Sequence, residues 1–451
     1  MSIQLDSTSP FPDQISLESR LKSAKEIVSQ FVPPSPLVYS PSLSAMVNGH
    51  VWLKLENFLP NGSFKVRGAL HSMVNQLHLK VEDLEKIKKN KSSRGVPTHS
   101  FCAASAGNHA QGVAFAAQKL GCEAHLFLPK STPLVKREAT QNLGAKVYLE
   151  GNVLEESFRA ALDYSQKTGA TFLHPFNDWN VIFGQATCAM EALEQWKAMA
   201  HLHHLNPSSS ELPVFLAGVG GGGLLAGACL HWHTLGSQNV VGVESSYFDS
   251  AYQSLKYGEI KEISNPGNSS IADGISVKKI GDICYQILKN CNAKIDLVSE
   301  DDIAQAILHL LERDRVVAEG AGASGVALLI RNKKWFQDKH VIACVSGGNI
   351  DPQLLSRVII RGLAVTGRVL RVTLKITDRP GQLKNLLETV ANLDANVLEV
   401  HHDRTYTQVY VGDVEVELVL ETKNMEHQYE VLSRFAELGL KPSTIHQSSN
   451  S

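Results

Sequence analysis

Between residues 50 and 350, short apolar runs alternate with amphipathic stretches, and this alternation leaves few architectures open. VWLKLE, HSFCAAS, EAHLFLP, AKVYLEG, TFLHPF, PVFLAGV, NVVGVES, AKIDLVS and KHVIACVSG read as strands. QGVAFAAQKLG, STPLVKREATQNLG, VLEESFRAALDYSQKTG, QATCAMEALEQWKAM, EDDIAQAILHLLERD and SGVALLIRN read as helices. A chain that switches period in this way buries its strands beneath crossover helices, which gives an α/β fold with mostly parallel sheets. The SEDD run at 299–302 begins one helix, with Ser299 as cap and acids in the first turn.

The pattern changes near residue 368. VLRVTLKITD places Leu370, Val372, Leu374 and Ile376 on one face, and DRPG follows as a turn. GQLKNLLETVANL puts Leu383, Leu386, Leu387, Val390 and Leu393 at helical spacing. Two strands, ANVLEVHHDR and DVEVELVLET, a helix, NMEHQYEVLSRFAELG, and a last strand ending near Ile445 complete the order βαββαβ, a ferredoxin-like unit. Residues 1–360 are therefore read as one domain and residues 368–447 as a second.

Composition narrows the function classes. The formal net charge of the 451 residues is −2, so nothing in the bulk charge draws the chain to nucleic acid or to an anionic membrane. No apolar run reaches the roughly 20 residues of a membrane span. The N-terminal MSIQLDSTSPFPDQISLESR carries acids and lacks an apolar core, unlike a signal peptide. The seven cysteines are dispersed without CxxC spacing, which reads as reduced thiols in a cytoplasmic compartment.

The most chemical stretch is VFLAGVGGGGL at 214–224, an apolar strand running into four consecutive glycines and then a helix. Glycine backbone N–H groups approach an anion closely, and a helix N-terminus adds a favourable dipole, so the stretch reads as a phosphate cradle. Gly218, Gly220 and Gly223 also satisfy GxGxxG, and Glu244 ends the next apolar strand roughly 20 residues on. Taken alone, the loop fits an NAD(P) dehydrogenase as well as any other phosphate ligand.

Other stretches decide. NGSFKVRGA at 61–69 places Lys65 after a Gly-Ser turn. SAGNHAQG at 105–112 sets Asn108 before a helix, VSGGN at 345–349 sets Ser346 after a buried strand, and AEGAGASG at 318–325 sets Glu319 before small residues. An amine, a phosphate cradle, a partner for a ring nitrogen and a cradle for a carboxylate are the parts of a pyridoxal 5′-phosphate (PLP) site. A dehydrogenase has no use for Lys65 in this setting.

SFKVRGA, SAGNHAQGVA, GVGGGGL, IADGISVKKIGD, AEGAGA and VSGGNID, in this order and spacing, resemble the fold type II PLP enzymes, the two-lobed tryptophan synthase β-like group, which implies a smaller lobe at about 50–150 inserted in the larger one. Within that group the chain is most similar to the threonine ammonia-lyases, over about residues 15–360. The tail resembles an ACT domain through its fold pattern and DRPGQL turn.

The resemblance implies roles. Lys65 would hold PLP as a Schiff base and take the substrate α-proton, with Phe64 against the cofactor ring. Gly220, Gly221, Gly222 and Gly223 would bind its phosphate, Asn108 its 3′-oxygen, and Ser346 its pyridine nitrogen. Ser105, Ala106, Gly107 and His109 would hold the substrate carboxylate. L-Threonine would give 2-oxobutanoate and ammonia, and L-serine pyruvate. Serine racemases share most of these motifs but carry a serine where this chain has Ala106, so a second proton donor is missing. Racemases also hold a divalent metal, for which Glu244 matches but Ser250 replaces the second acid, and no metal is expected. Another fold type II lyase or synthase is a further alternative, against which the ADG and AEGAGA segments favour threonine deaminase, and a catalytically weak amino-acid sensor is a third, which would have lost Lys65, Asn108 or the glycine loop. The ACT resemblance implies a homo-oligomer, dimer or tetramer, responding to an amino-acid effector such as isoleucine or valine near Asp378, Arg379, Pro380 and Gly381.

Overall fold

The computed structural model describes residues 11–90, 99–202, 212–263, 269–404 and 412–444. The chain divides into two compact units between Leu354 and Leu355, inside the helix Pro352–Val365.

The first unit holds two sheets. In the larger, β1 (Leu37–Tyr39) pairs antiparallel with β2 (His50–Leu55), and every later pairing is parallel. From β2 the order continues through β10 (His340–Val345), β7 (Val214–Gly218), β8 (Val240–Ser245) and β9 (Lys294–Val298). Strands β2, β7, β8 and β10 are buried along almost their whole length. That is why they read as continuous apolar runs: a parallel sheet is covered on both faces. The smaller sheet orders β5 (Lys146–Leu149), β4 (Glu123–Leu128), β3 (Ser100–Ala104) and β6 (Thr171–Phe172), all parallel. It therefore spans 100–172, while β2 belongs to the larger sheet.

Three local departures have physical causes. The run TFLHPF stops as a strand after Phe172 because His174 Nδ1 accepts from the N–H groups of Phe176 and Asn177 (3.3 and 2.9 Å), turning the chain. The helix from Glu300 has the expected Ser299 cap, with Asp302 answering it as a capping box, but ends at His309. A π-helical turn, Leu310–Asp314, follows it, and Asp314 accepts from the Ser40 hydroxyl at 2.6 Å. The helix Lys65–Gln76 was not foreseen because it is buried all round, Arg67 and His71 included, and so carries no amphipathic stripe.

The second unit is a ferredoxin-like βαββαβ sandwich, as the tail pattern predicts. Its antiparallel sheet orders β12 (Asn396–Asp403), β13 (Asp413–Glu421), β11 (Val369–Thr377) and β14 (Ser443–Thr444). Leu370, Val372, Leu374 and Ile376 face Leu420, Leu418, Val416 and Val414 across the β11–β13 register. The helices Gln382–Asn392 and Met425–Glu437 cover this face with Leu386, Val390, Val431 and Phe435. Ile445 lies outside the described residues, as do residues 1–10 and the serines at 208–210. At the turn after β11, Asp378 accepts two bonds from the Arg404 guanidinium (3.0 and 3.1 Å). Gly381 caps the next helix at φ 93°, in open space. No helix among the described residues is long and apolar enough to cross a membrane.

Candidate active site

The carboxyl ends of the parallel strands converge on one cavity of about 230 Å³, where α/β sheets ordinarily bind ligands. From β2 the chain leads through a short turn to Phe64 and Lys65. Strand β3 leads to Ser105, Ala106 and Gly107, and Asn108 and His109 open the helix that follows. Strand β7 leads to Gly220, Gly221, Gly222 and Gly223, and β10 to Ser346. All of these residues line the cavity. The segment Asp378–Gly381 belongs to the other unit.

Lys65 opens the helix Lys65–Gln76. Its Nζ donates to the Pro175 carbonyl at 3.2 Å and lies 5.1 Å from the Phe64 ring centroid. Loss of water around the amine lowers its pKa to about 8, against weaker opposing pulls from Cys284 and Glu319. A neutral, nucleophilic fraction is therefore present near physiological pH.

The glycine turn fits tightly. A Cβ on Gly221 would lie 2.2 Å from the Phe176 ring, and Gly222 takes φ 95° as the cap of the helix Gly223–Thr234. No side chain caps that helix, so its first-turn N–H groups have neither an intrahelical partner nor a capping oxygen. An anion at this turn would be held by backbone dipoles alone.

Asn108 and Glu319 meet across the cavity. Asn108 Nδ2 donates to Glu319 Oε1 at 2.6 Å, and Asn108 Oδ1 accepts from Asn349 Nδ2 at 2.8 Å. Burial raises the Glu319 carboxyl to about 7, helped by Asp273 and opposed by Asn108, Lys136 and the Asn349 backbone. In the loop after β3, the Gly107 N–H donates to Ser105 Oγ at 3.1 Å. The His109 ring donates Nε2–H to the Leu173 carbonyl at 3.1 Å, and burial lowers its pKa to about 3, so the ring is neutral.

Sequence reasoning placed Glu319 before a helix without assigning it a partner, and it did not single out Lys136, Asp273, Pro175 or Phe176. Lys136 and Asp273 pair at 2.9 Å on the cavity wall. Asp273 lies in the IADG stretch, a signal that was present. Lys136 had only its place in an amphipathic helix.

The sequence profile described as pyridoxal-phosphate dependent enzyme matches residues 28–348. The chain belongs to the pyridoxal-phosphate-dependent enzymes. It is similar to an L-threonine ammonia-lyase of Thermotoga maritima, 41% identical over 92% of this chain and 96% of that one. It is also similar to an L-threonine ammonia-lyase of Geobacter sulfurreducens, 36% identical over 93% and 97%. Among solved structures it resembles the processed form of threonine deaminase isoform 2 from Solanum lycopersicum. That likeness has a TM-score of 0.66 and 29% identity, covering 79% of this chain and 96% of that one.

The residues present fit the cofactor of a pyridoxal-phosphate-dependent enzyme. An amine suits its aldehyde, an uncapped helix start on a glycine turn its phosphate, the Asn108 amide its ring oxygen, and the Ser346 hydroxyl its ring nitrogen. The dinucleotide alternative loses its ribose acid. Glu244 is buried away from the cavity, and its two oxygens accept from the N–H groups of Ala251 and Tyr252 at 2.9 and 2.8 Å. Among the described residues no group of three or more His, Cys, Asp or Glu could hold a metal ion. All seven cysteines are free thiols.

Proposed function

We propose that this chain is a PLP-dependent threonine ammonia-lyase. It removes the α-hydrogen and β-hydroxyl of L-threonine as water, and the resulting enamine takes up water to give 2-oxobutanoate and ammonia. L-Serine gives pyruvate by the same balance. The observation that carries this reading is Lys65, an amine lowered to about 8 in the same cavity as an uncapped four-glycine helix start.

When bound, the cofactor supplies an electron sink for the bond broken at the substrate α-carbon. The chain does the rest. The N–H groups of Gly220–Gly223 would hold the phosphate, Asn108 the ring oxygen and Ser346 the ring nitrogen, and Phe64 would face the ring. Lys65 would hold the cofactor through Nζ, and as a free amine it would accept the substrate α-proton at that atom. Its lowered pKa supports that role, since a protonated amine cannot accept. The loop Ser105, Ala106, Gly107 and His109 takes the substrate carboxylate through its backbone, the Ser105 hydroxyl being engaged by Gly107. Ala106 on the cavity wall supplies no second proton, which favours elimination over racemisation.

The ferredoxin-like unit acts as an ACT domain. It pairs with a second copy, and the turn Asp378–Gly381 binds an amino-acid effector in a homo-oligomeric, cytoplasmic enzyme. The open space at Gly381 supports that placement. The test of the whole reading is the visible absorption of the purified protein with PLP, before and after L-threonine, with 2-oxobutanoate measured in parallel. A cofactor band that responds to L-threonine, with product formed, is expected. Absence of any visible band after adding PLP would sink it.

A further inference from the structure

A chain of hydrogen bonds fixes which way the Asn108 amide faces. Asn349 Nδ2 lies 2.9 Å from the Asn61 carbonyl oxygen, a group that can only accept, so the nitrogen end of Asn349 must face it. The same Nδ2 donates to Asn108 Oδ1 at 2.8 Å, with Gln111 Oε1 farther off at 3.4 Å. Asn108 therefore turns its oxygen to Asn349 and its NH₂ to Glu319, 2.6 Å away. The reverse orientation would set the amide oxygen against a carboxylate and an N–H against another N–H.

Asn349 also ties together the two loops that carry cofactor-facing groups. Phe64 N–H donates to the Ser346 carbonyl at 3.1 Å, and Gly348 N–H to the Gly62 carbonyl at 3.0 Å. Gly62, at φ 71°, makes room for the arrangement: a Cβ there would lie 2.3 Å from Asn349 Oδ1. One side chain thus touches the turn before Lys65, follows the strand end bearing Ser346, and sets the amide of Asn108.

We infer that Asn349, backed by the Asn61 carbonyl and the space left by Gly62, is a positioning residue that keeps the Asn108 NH₂ aimed at the cofactor ring oxygen. The inference rests on the PLP reading above. An Asn108 NH₂ has two hydrogens. Glu319 takes one, and the other is free for the ring oxygen only while Asn349 holds the oxygen end away.

The test is PLP titration of three proteins: wild type, Asn349→Asp and Gly62→Ala. Asn349→Asp keeps the size but removes the donor, so the Asn108 NH₂ is drawn towards the new carboxylate. Gly62→Ala leaves both amides chemically intact and displaces Asn349 from behind. Cofactor affinity should fall about tenfold in each, the scale of one hydrogen bond to a charged group. The induced circular dichroism of the visible band should also change, because the ring tilts when its oxygen loses a fixed donor. A purely structural role would lower stability and leave that signature unaltered in the protein that remains folded. Asn349→Ala repeats the measurement if the aspartate variant does not fold. Wild-type affinity and an unchanged band in a folded Asn349 variant overturn the inference. A wild type that shows no visible band with PLP overturns the proposed function instead.

Discussion

The Lys65 amine donates to the Pro175 carbonyl across 3.2 Å, tying the helix Lys65–Gln76 to the segment that follows β6. One neutral acceptor does not repay the water an ammonium loses, so the amine is drawn towards its neutral form.

That imbalance predicts a pH-dependent stability in the cofactor-free protein. Between about 8 and 10.5 the folded Lys65 has released a proton that the unfolded chain still holds. Stability must then rise with pH across this window, and below it the buried charge costs on the order of 3 kcal/mol, at 1.36 kcal/mol per pH unit. Lys65→Met should melt higher than wild type at pH 7 and lose this slope, while turnover falls by about a hundredfold or more. Thermal melts across pH 7 to 11 check it, and equal slopes in both proteins would refute the assignment.

Glu319 carries the opposite sign. Its carboxyl is raised to about 7 from 4.5, so across that interval the folded protein holds a proton that the unfolded chain has lost. Stability contributed by this group falls as pH rises through the window. Glu319→Gln keeps an acceptor for Asn108 and cannot ionise. It should flatten the decline and be the more stable protein at pH 8. A variant that melts lower than wild type at pH 8 would show that the carboxylate is better compensated than its surroundings imply.

The sheets, the glycine turn, the lysine and the second unit were all readable in the sequence because each rests on a short-range signal. Period-two and continuous apolar runs marked the strands, and four glycines between strand and helix marked a tight turn at an uncapped helix start. What escaped was set by contacts distant in sequence. Nothing near Asn349 announces that it answers Asn61 and Asn108, and nothing near Pro175 announces that its carbonyl receives the Lys65 amine. The helix Lys65–Gln76 escaped because burial on all sides erases the stripe that marks a surface helix. Glu244 misled in the other direction: its spacing matched a ribose acid, yet its carboxylate caps the backbone of its own next helix.

Gly221 offers a steric test of the phosphate cradle. With a Cβ there 2.2 Å from the Phe176 ring, Gly221→Ala must shift either the ring or the turn. Overpacking of this kind costs about 1–3 kcal/mol. PLP affinity should fall by more than the stability loss alone explains, since the displaced N–H groups no longer converge. A titration showing wild-type affinity in a destabilised but folded protein would remove the turn from the cofactor site.

Arg67, two residues beyond Lys65, anchors the same helix from behind. Its guanidinium grips Glu56 at 2.6 and 2.8 Å and Glu191 at 3.1 and 3.2 Å, with both Arg67 and Glu56 fully buried. Burial by itself would push Glu56 up, but Arg67 and Lys54 hold it below the usual carboxylate range. Removing the arginine leaves a buried carboxylate with too little positive charge, so Arg67→Met should cost about 3–5 kcal/mol at neutral pH. Lysine cannot reproduce the planar fork, and Arg67→Lys should recover only part of that loss. The cost has a definite pH sign. Stability from the depressed Glu56 is present at neutral pH and is lost as pH falls through its folded value, so the gap between wild type and Arg67→Met should narrow in acid. Adding Glu56→Gln to Arg67→Met removes the stranded charge and should restore part of the melting temperature. A double variant no more stable than the single one would mean that the helix behind Lys65 is held by packing, with the ion pairs contributing nothing.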